Sequence, residues 1–203
     1  MNVLLVHGLG RTPCSLFGLA SALRREGHGT RFFAYSTTLE PLSRIIRRLV
    51  DRLRRMSHCG EPVGLVGHSL GGLLLRLALV QVPELPVGRL IMLGTPNRGS
   101  RVGNYFSRWR PFRLFTRTCH RLLTFPASFG LTTAPAAPYV VVAGTAGPRH
   151  PRYIFKDRPN DGIVSVEETR VDDETTPQEV PALHSFIMDH PAARALVLRE
   201  LRG

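Results

Sequence analysis

Gly67-His68-Ser69-Leu70-Gly71 sets a serine between two glycines in a G-x-S-x-G pattern. An apolar run at 63–66 precedes it and a helix-like apolar run at 70–82 follows. In that strand–turn–helix setting the pattern reads as a nucleophile elbow. A turn this tight strains the serine backbone, and a Cβ at Gly67 or Gly71 would strike the neighbouring strand or helix. The hydroxyl of Ser69 then projects at the carboxyl end of a strand, over a helix N-terminus that stabilises developing negative charge. The chemistry this suits is acyl transfer through a serine oxygen. The alternative is a glycine-rich strand–helix turn in which the serine is a bystander.

Several elements must position that serine. An apolar run at 3–6 ends in His7-Gly8-Leu9-Gly10, a glycine-rich turn. Residues 13–26 have helical spacing, stopped by Gly27 and Gly29, and 31–35 reads as a second strand. The clearest helix spans 41–57, where Leu42, Ile45, Ile46, Leu49, Val50, Leu53 and Met56 recur every 3.6 residues. Its other face is rich in arginine, a pattern that fits either a helix covering a sheet or one lying on a membrane. Further strands are expected at 62–66, 87–93, 139–143 and 180–183, and a closing helix at 191–201. Strands alternating with helices argue for a mostly parallel α/β sheet covered on both faces. Residues 98–137 break the rhythm, mixing aromatics with arginines and containing no acidic residue. Following a strand end, such an insertion would lie over the carboxyl edge of the sheet, where ligands bind. It reads as a cap or lid within a single domain of residues 1–203.

Composition narrows the class. At 203 residues, 43% hydrophobic and 21% charged, the chain suits one globular domain. No apolar run approaches the ~20 residues of a membrane span, and the first six residues lack the basic start of a signal peptide. A cytoplasmic chain is expected, with peripheral membrane association as the alternative. Cys14, Cys59 and Cys119 form no metal-ligand pattern, so reduced thiols and no metal or cofactor are expected. The formal net charge is +12, and Lys156 is the only lysine. This is either an arginine-biased composition or attraction to an anionic surface.

Four blocks in order make the chain resemble an α/β-hydrolase of the lipase/esterase type, similar to bacterial triacylglycerol lipases and GPI-inositol-deacylase-like enzymes. They are Val6-His7-Gly8-Leu9-Gly10; Gly67-His68-Ser69-Leu70-Gly71-Gly72; Leu93-Gly94-Thr95-Pro96-Asn97-Arg98-Gly99-Ser100; and Asn160-Asp161-Gly162-Ile163-Val164 with the later His184. The resemblance runs from Val3 to about Pro191 and implies a compact fold of about six strands. It implies Ser69 as nucleophile, His184 as base and Asp161 as the acid that orients it, in the family order Ser, Asp/Glu, His. His190 competes for the base but looks like a helix-entry residue, and Asp157, Asp172 and Asp173 are rivals for the acid. His7, His28, His58, His120 and His150 come too early in the chain, and His68 reads as packing. Oxyanion donors map onto the backbone N–H groups of Leu9 and Leu70. A calcium site using Asp157 and Asp161 has only two carboxylates behind it.

The function so implied is hydrolysis of carboxylic esters through an acyl-enzyme, with a small-molecule or lipid ester as substrate. Lipid-like or anionic acyl groups suit the aromatic and arginine-rich cap. Two alternatives are an acyltransferase on the same scaffold and a non-catalytic protein binding a membrane or polyanion. No nucleic-acid module is apparent, and no nucleic-acid partner is expected.

Overall fold

A computed structural model describes residues 1–57, 61–150 and 152–202. Cys59 and His58 lie outside the described residues. Six strands form, β1 (Asn2–Val6), β2 (Gly29–Phe33), β3 (Val63–His68), β4 (Val87–Leu93), β5 (Tyr139–Gly144) and β6 (Gln178–Val180), and all but β2 and β6 are apolar runs rich in valine, isoleucine or leucine. They make one sheet in the order β2-β1-β3-β4-β5-β6, and every neighbouring pair is parallel. Parallel pairing sends each strand's carboxyl end to the same edge, so the loops that follow the strands gather there.

Side-chain alternation along β1 shows why both faces are covered. Leu4 and Val6 pack into a core with α2 (Leu42–Ser57), α3 (Leu70–Leu79) and α6 (Cys119–Thr124). Val3 and Leu5 point the other way, against α1 (Phe17–Arg25) and α8 (Pro191–Arg202). The helical period of α2 does the same work on its side. Ile45, Leu49 and Leu53 are fully buried, while Arg44, Arg47 and Arg55 face solvent. The segment after β4 forms three short helices, α4 (Arg101–Phe106), α5 (Arg110–Thr116) and α6, and α7 (Val166–Thr169) follows the Asp161 turn.

Several boundaries differ from the sequence reading. The second strand runs Gly29–Phe33 rather than 31–35, because its ladder with β1 starts at the Asn2–Gly29 pair. Tyr35 leaves the ladder: its ring stacks on His7 at 4.3 Å and its hydroxyl donates to the His7 carbonyl at 2.9 Å. The last strand stops at Val180 because Pro181 has no N–H to continue the ladder. The first helix opens as a 3₁₀ turn at Pro13–Leu16. The elbow helix ends at Leu79, where tighter bonds such as Gln81 N–H to the Ala78 carbonyl (3.0 Å) close it before Pro83.

The two faces of α2 give a direct test. Leu49→Ala is expected to cost about 2–5 kcal/mol of stability, since it empties a fully buried site. Arg47→Ala should stay within ~0.5 kcal/mol. Urea midpoints for the two variants measure the contrast.

Candidate active site

Ser69 joins β3 to α3 with φ 53° and ψ −120°, a left-handed backbone in a non-glycine residue. Its N–H donates to the Leu93 carbonyl at 2.8 Å, which ties the turn to β4. The glycines beside it leave no room for a side chain. A Cβ on Gly67 would lie 2.5 Å from the Gly72 backbone, and one on Gly71 would lie 2.3 Å from the Val6 carbonyl oxygen. Close approach of α3 to β1 and β3 is therefore built from missing atoms.

The structure brings Ser69, His184 and Asp161 together. The Ser69 hydroxyl donates to His184 Nε2 at 3.0 Å, and His184 Nδ1–H donates to Asp161 Oδ2 at 2.7 Å. Asp161 is 1% exposed and His184 8%. Burial of a carboxylate requires partners, and Oδ1 of Asp161 accepts from the Ile163 N–H (2.9 Å) and the Val164 N–H (2.7 Å). Asn160 shapes that turn: its Oδ1 accepts from the Gly162 N–H at 2.9 Å, and its amide donates to the Arg158 carbonyl at 2.9 Å. Main-chain pairing joins the two loops, with His184 N–H donating to the Asp161 carbonyl at 2.9 Å.

The rival residues sit elsewhere. His190 Nδ1 accepts from the Ala192 N–H at 3.3 Å at the entry to α8. Asp172 closes a local turn with Thr175, and Asp173 pairs with Arg98. Asp157 is exposed. Both oxygens of Asp161 are engaged within the protein, and among the described residues no group of three or more His, Cys, Asp or Glu side chains gathers as a metal site. Leu70 opens α3, where a helix leaves its first N–H groups free. The Leu9 N–H is taken by no acceptor among the described residues.

Three supports escaped the sequence reading. His68 Nε2–H donates to the His184 carbonyl at 3.0 Å, and the two rings lie 4.9 Å apart. Its buried Nδ1 has no partner, and burial followed by the nearby His184 holds its pKa well below the usual histidine range. Arg11 donates to the Ser185 carbonyl at 3.2 Å, pinning the loop after β1 to the histidine loop. Ser165 and Glu168 form a capping box on α7, and the Glu168 carboxylate also accepts from the Arg101 N–H at 2.8 Å. The S-x-x-E spacing was the available signal for that pair. No local pattern marks His68 or Arg11, because their partners lie 116 and 174 residues away.

A model of the alpha/beta hydrolase family matches residues 3–197. Among solved structures, the mature form of Bacillus licheniformis lipase BlEst2 is similar with a TM-score of 0.72 at 21% identity, covering 97% of this chain and 91% of that one. Paleococcus ferrophilus monoacylglycerol lipase gives 0.66 at 17% identity, over 99% of this chain and 94% of that one. Phospholipase PlaB from Legionella pneumophila, in complex with thio-NAD, gives 0.69 at 17% identity over 100% of this chain but 59% of its own. At these identities the likeness concerns the fold. No curated protein matches the sequence.

His68 makes the fold acid-sensitive. Its pKa is depressed in the fold and returns to about 6.5 on unfolding, so below that pH the unfolded chain binds more protons. Its contribution is therefore intact above about pH 6.5 and is lost as pH falls, at up to about 1.4 kcal/mol per pH unit. His68→Gln is expected to flatten the stability slope between pH 7 and 5, read from urea midpoints at each pH. An unchanged slope would mean that His68 takes up its proton inside the fold.

Proposed function

The chain belongs to the alpha/beta hydrolase family, and from that premise we propose that it hydrolyses carboxylic esters through an acyl-enzyme on Ser69. One observation carries the reading: a hydrogen-bonded line from Ser69 Oγ through His184 to the buried Asp161 carboxylate. A serine hydroxyl is a weak nucleophile until a neighbouring base takes its proton. In this reading His184 Nε2 accepts the Ser69 proton as Oγ bonds to the ester carbonyl carbon. The Asp161 carboxylate holds the proton on Nδ1, which leaves Nε2 free to act and stabilises the imidazolium that forms.

The carbonyl oxygen becomes an oxyanion facing the N–H groups of Leu9 and Leu70. Collapse of the tetrahedral species breaks the bond to the alcohol oxygen, which leaves with the proton from His184. Water then gives a proton to His184 and attacks the acyl carbon, and the second collapse returns the proton to Ser69 as the carboxylic acid departs. Leu183 and Phe186 flank His184 with their side chains exposed, and Phe115 lies 3.8 Å from where a Cβ on Gly10 would sit. Apolar side chains beside the histidine and the Gly10 turn favour esters with an apolar acyl group, such as lipid esters. The similar structures titled lipases agree with that class. The helices of residues 98–137 act in this reading as the cap over the site.

Ser69→Ala is expected to lower hydrolysis of p-nitrophenyl esters by about 10⁴-fold or more and to abolish labelling by a fluorophosphonate probe. Asp161→Asn should lose on the order of 10⁴ in kcat while keeping its fold. Hydrolysis that survives in Ser69→Ala would sink the mechanism.

A further inference from the structure

Among the described residues thirteen large apolar side chains are exposed, and six of them, Tyr105, Phe106, Trp109, Leu114, Phe115 and Phe125, lie in residues 98–137. Single exposed apolar residues are ordinary on a surface, but a set gathered in one segment marks an interaction face. The face centres on α4 and α5, which take almost no part in the core: α4 buries none of its residues and α5 only Thr116. Leu114 there is 77% exposed, and Leu39 on the adjoining loop is 78% exposed. Thr38 joins the two segments through a hydrogen bond from its hydroxyl to the Phe115 carbonyl at 3.0 Å.

Charge is gathered on the same face. Arg108, Arg110, Arg113 and Arg121 are exposed, and none makes an ion pair or side-chain hydrogen bond among the described residues. Some arginines find carboxylates, as Arg48 does with Glu40 and Arg158 with Glu167, and at the start of the segment Arg98 and Arg101 pair with Asp173 and Glu168. Residues 98–137 contain no acidic residue at all.

We propose that this face docks on an anionic phospholipid bilayer, with the Ser69 edge of the sheet turned toward the lipid. Unpaired guanidinium groups suit phosphate headgroups, and Trp109 and Tyr105 suit the level where headgroups meet acyl chains. Aliphatic side chains such as Leu114 and Ile163 gain from hydrocarbon and have no stacking partner on a nucleic acid, which separates a bilayer from a soluble polyanion. The site adjoins the face, since Phe115 of α5 lies 3.8 Å from where a Cβ on Gly10 would sit, in the turn that carries Leu9. Docking stands on exposure and charge rather than on the ester chemistry, so it is measured without turnover.

Trp109 is the only tryptophan in the chain and is 54% exposed on this face, so intrinsic fluorescence reports the contact directly. The Ser69→Ala protein is titrated with vesicles of phosphatidylcholine alone and of phosphatidylcholine with phosphatidylglycerol. With the anionic vesicles the emission should shift to the blue, be quenched by brominated acyl chains, and weaken as salt rises. Neutral vesicles should give little of either change. Replacing Arg108, Arg110 and Arg113 by Glu should lower partitioning by about 100-fold or more. The matched replacement of Arg44, Arg47 and Arg55 on α2 makes the same charge change and should lower it far less. The proposal is overturned by an unshifted, unquenched Trp109 on anionic vesicles, by equal losses in the two triple variants, or by RNA shifting Trp109 where vesicles do not.

Discussion

Everything at the site depends on one residue held in a backbone conformation its side chain disfavours. A non-glycine residue at φ 53° carries on the order of 1–3 kcal/mol of strain, and the surrounding structure must over-determine it. Ser69 is held from both sides, by its own N–H to the Leu93 carbonyl and by Gly72 N–H to its carbonyl at 3.1 Å. Three neighbouring glycines let α3 begin where any side chain would meet backbone or, at Gly72, Thr95. Relaxing Ser69 would mean moving β4 and the start of α3 together. The strain therefore stays where it aims the hydroxyl out of the sheet edge.

Aiming one hydroxyl is a local problem, whereas bringing a base and an acid to it is a problem of topology. His184 lies 115 residues after Ser69 and 23 after Asp161. The parallel sheet solves the long part, since β3, β5 and β6 all end at one edge. Short loops and their bonds solve the rest. Gly144, at the end of β5, permits the close pass, because a Cβ there would lie 2.4 Å from the Ala182 carbonyl oxygen and 2.7 Å from Asp161 Cβ. His68 then holds the carbonyl of His184 while Arg11 holds that of Ser185. The histidine is thus fixed by its main chain as well as by its ring, and little freedom remains for it to leave Ser69 Oγ.

What the sequence made legible follows the range of the interaction responsible. Periodicity revealed α2 and the elbow pattern revealed the β3–α3 junction, because both are written within a few residues. The parallel sheet followed from strands alternating with helices, and its count of six from the resemblance. The ends of β2 and β6 were misread because they are set by pairing and by Pro181 rather than by the apolar runs themselves. The short helices α4, α5 and α6 left no periodic signal, as each is one or two turns long. His68 looked like packing because the carbonyl it serves belongs to a distant loop. Ser69, Asp161 and His184 were nameable from motif order, but no residue pattern could reveal the distances between them.

The distribution of charge separates what holds the fold from what surrounds the site. Residues 98–137 contain seven arginines and no acidic residue, so they carry +7 of the net +12 in about a fifth of the chain. Elsewhere Glu40, Glu200 and Glu26 neutralise arginines on α2, β4 and α8. Self-repulsion within a short segment opposes compaction, and α4 and α5 offset little of it by burial. The core tolerates this because α6 and Leu131 root the segment, through the buried Cys119, Leu122, Leu123 and Leu131. In the proposed docking the field of the remaining arginines draws anionic headgroups to the segment that follows β4. Charge that does nothing for the core is, in that reading, what meets the lipid.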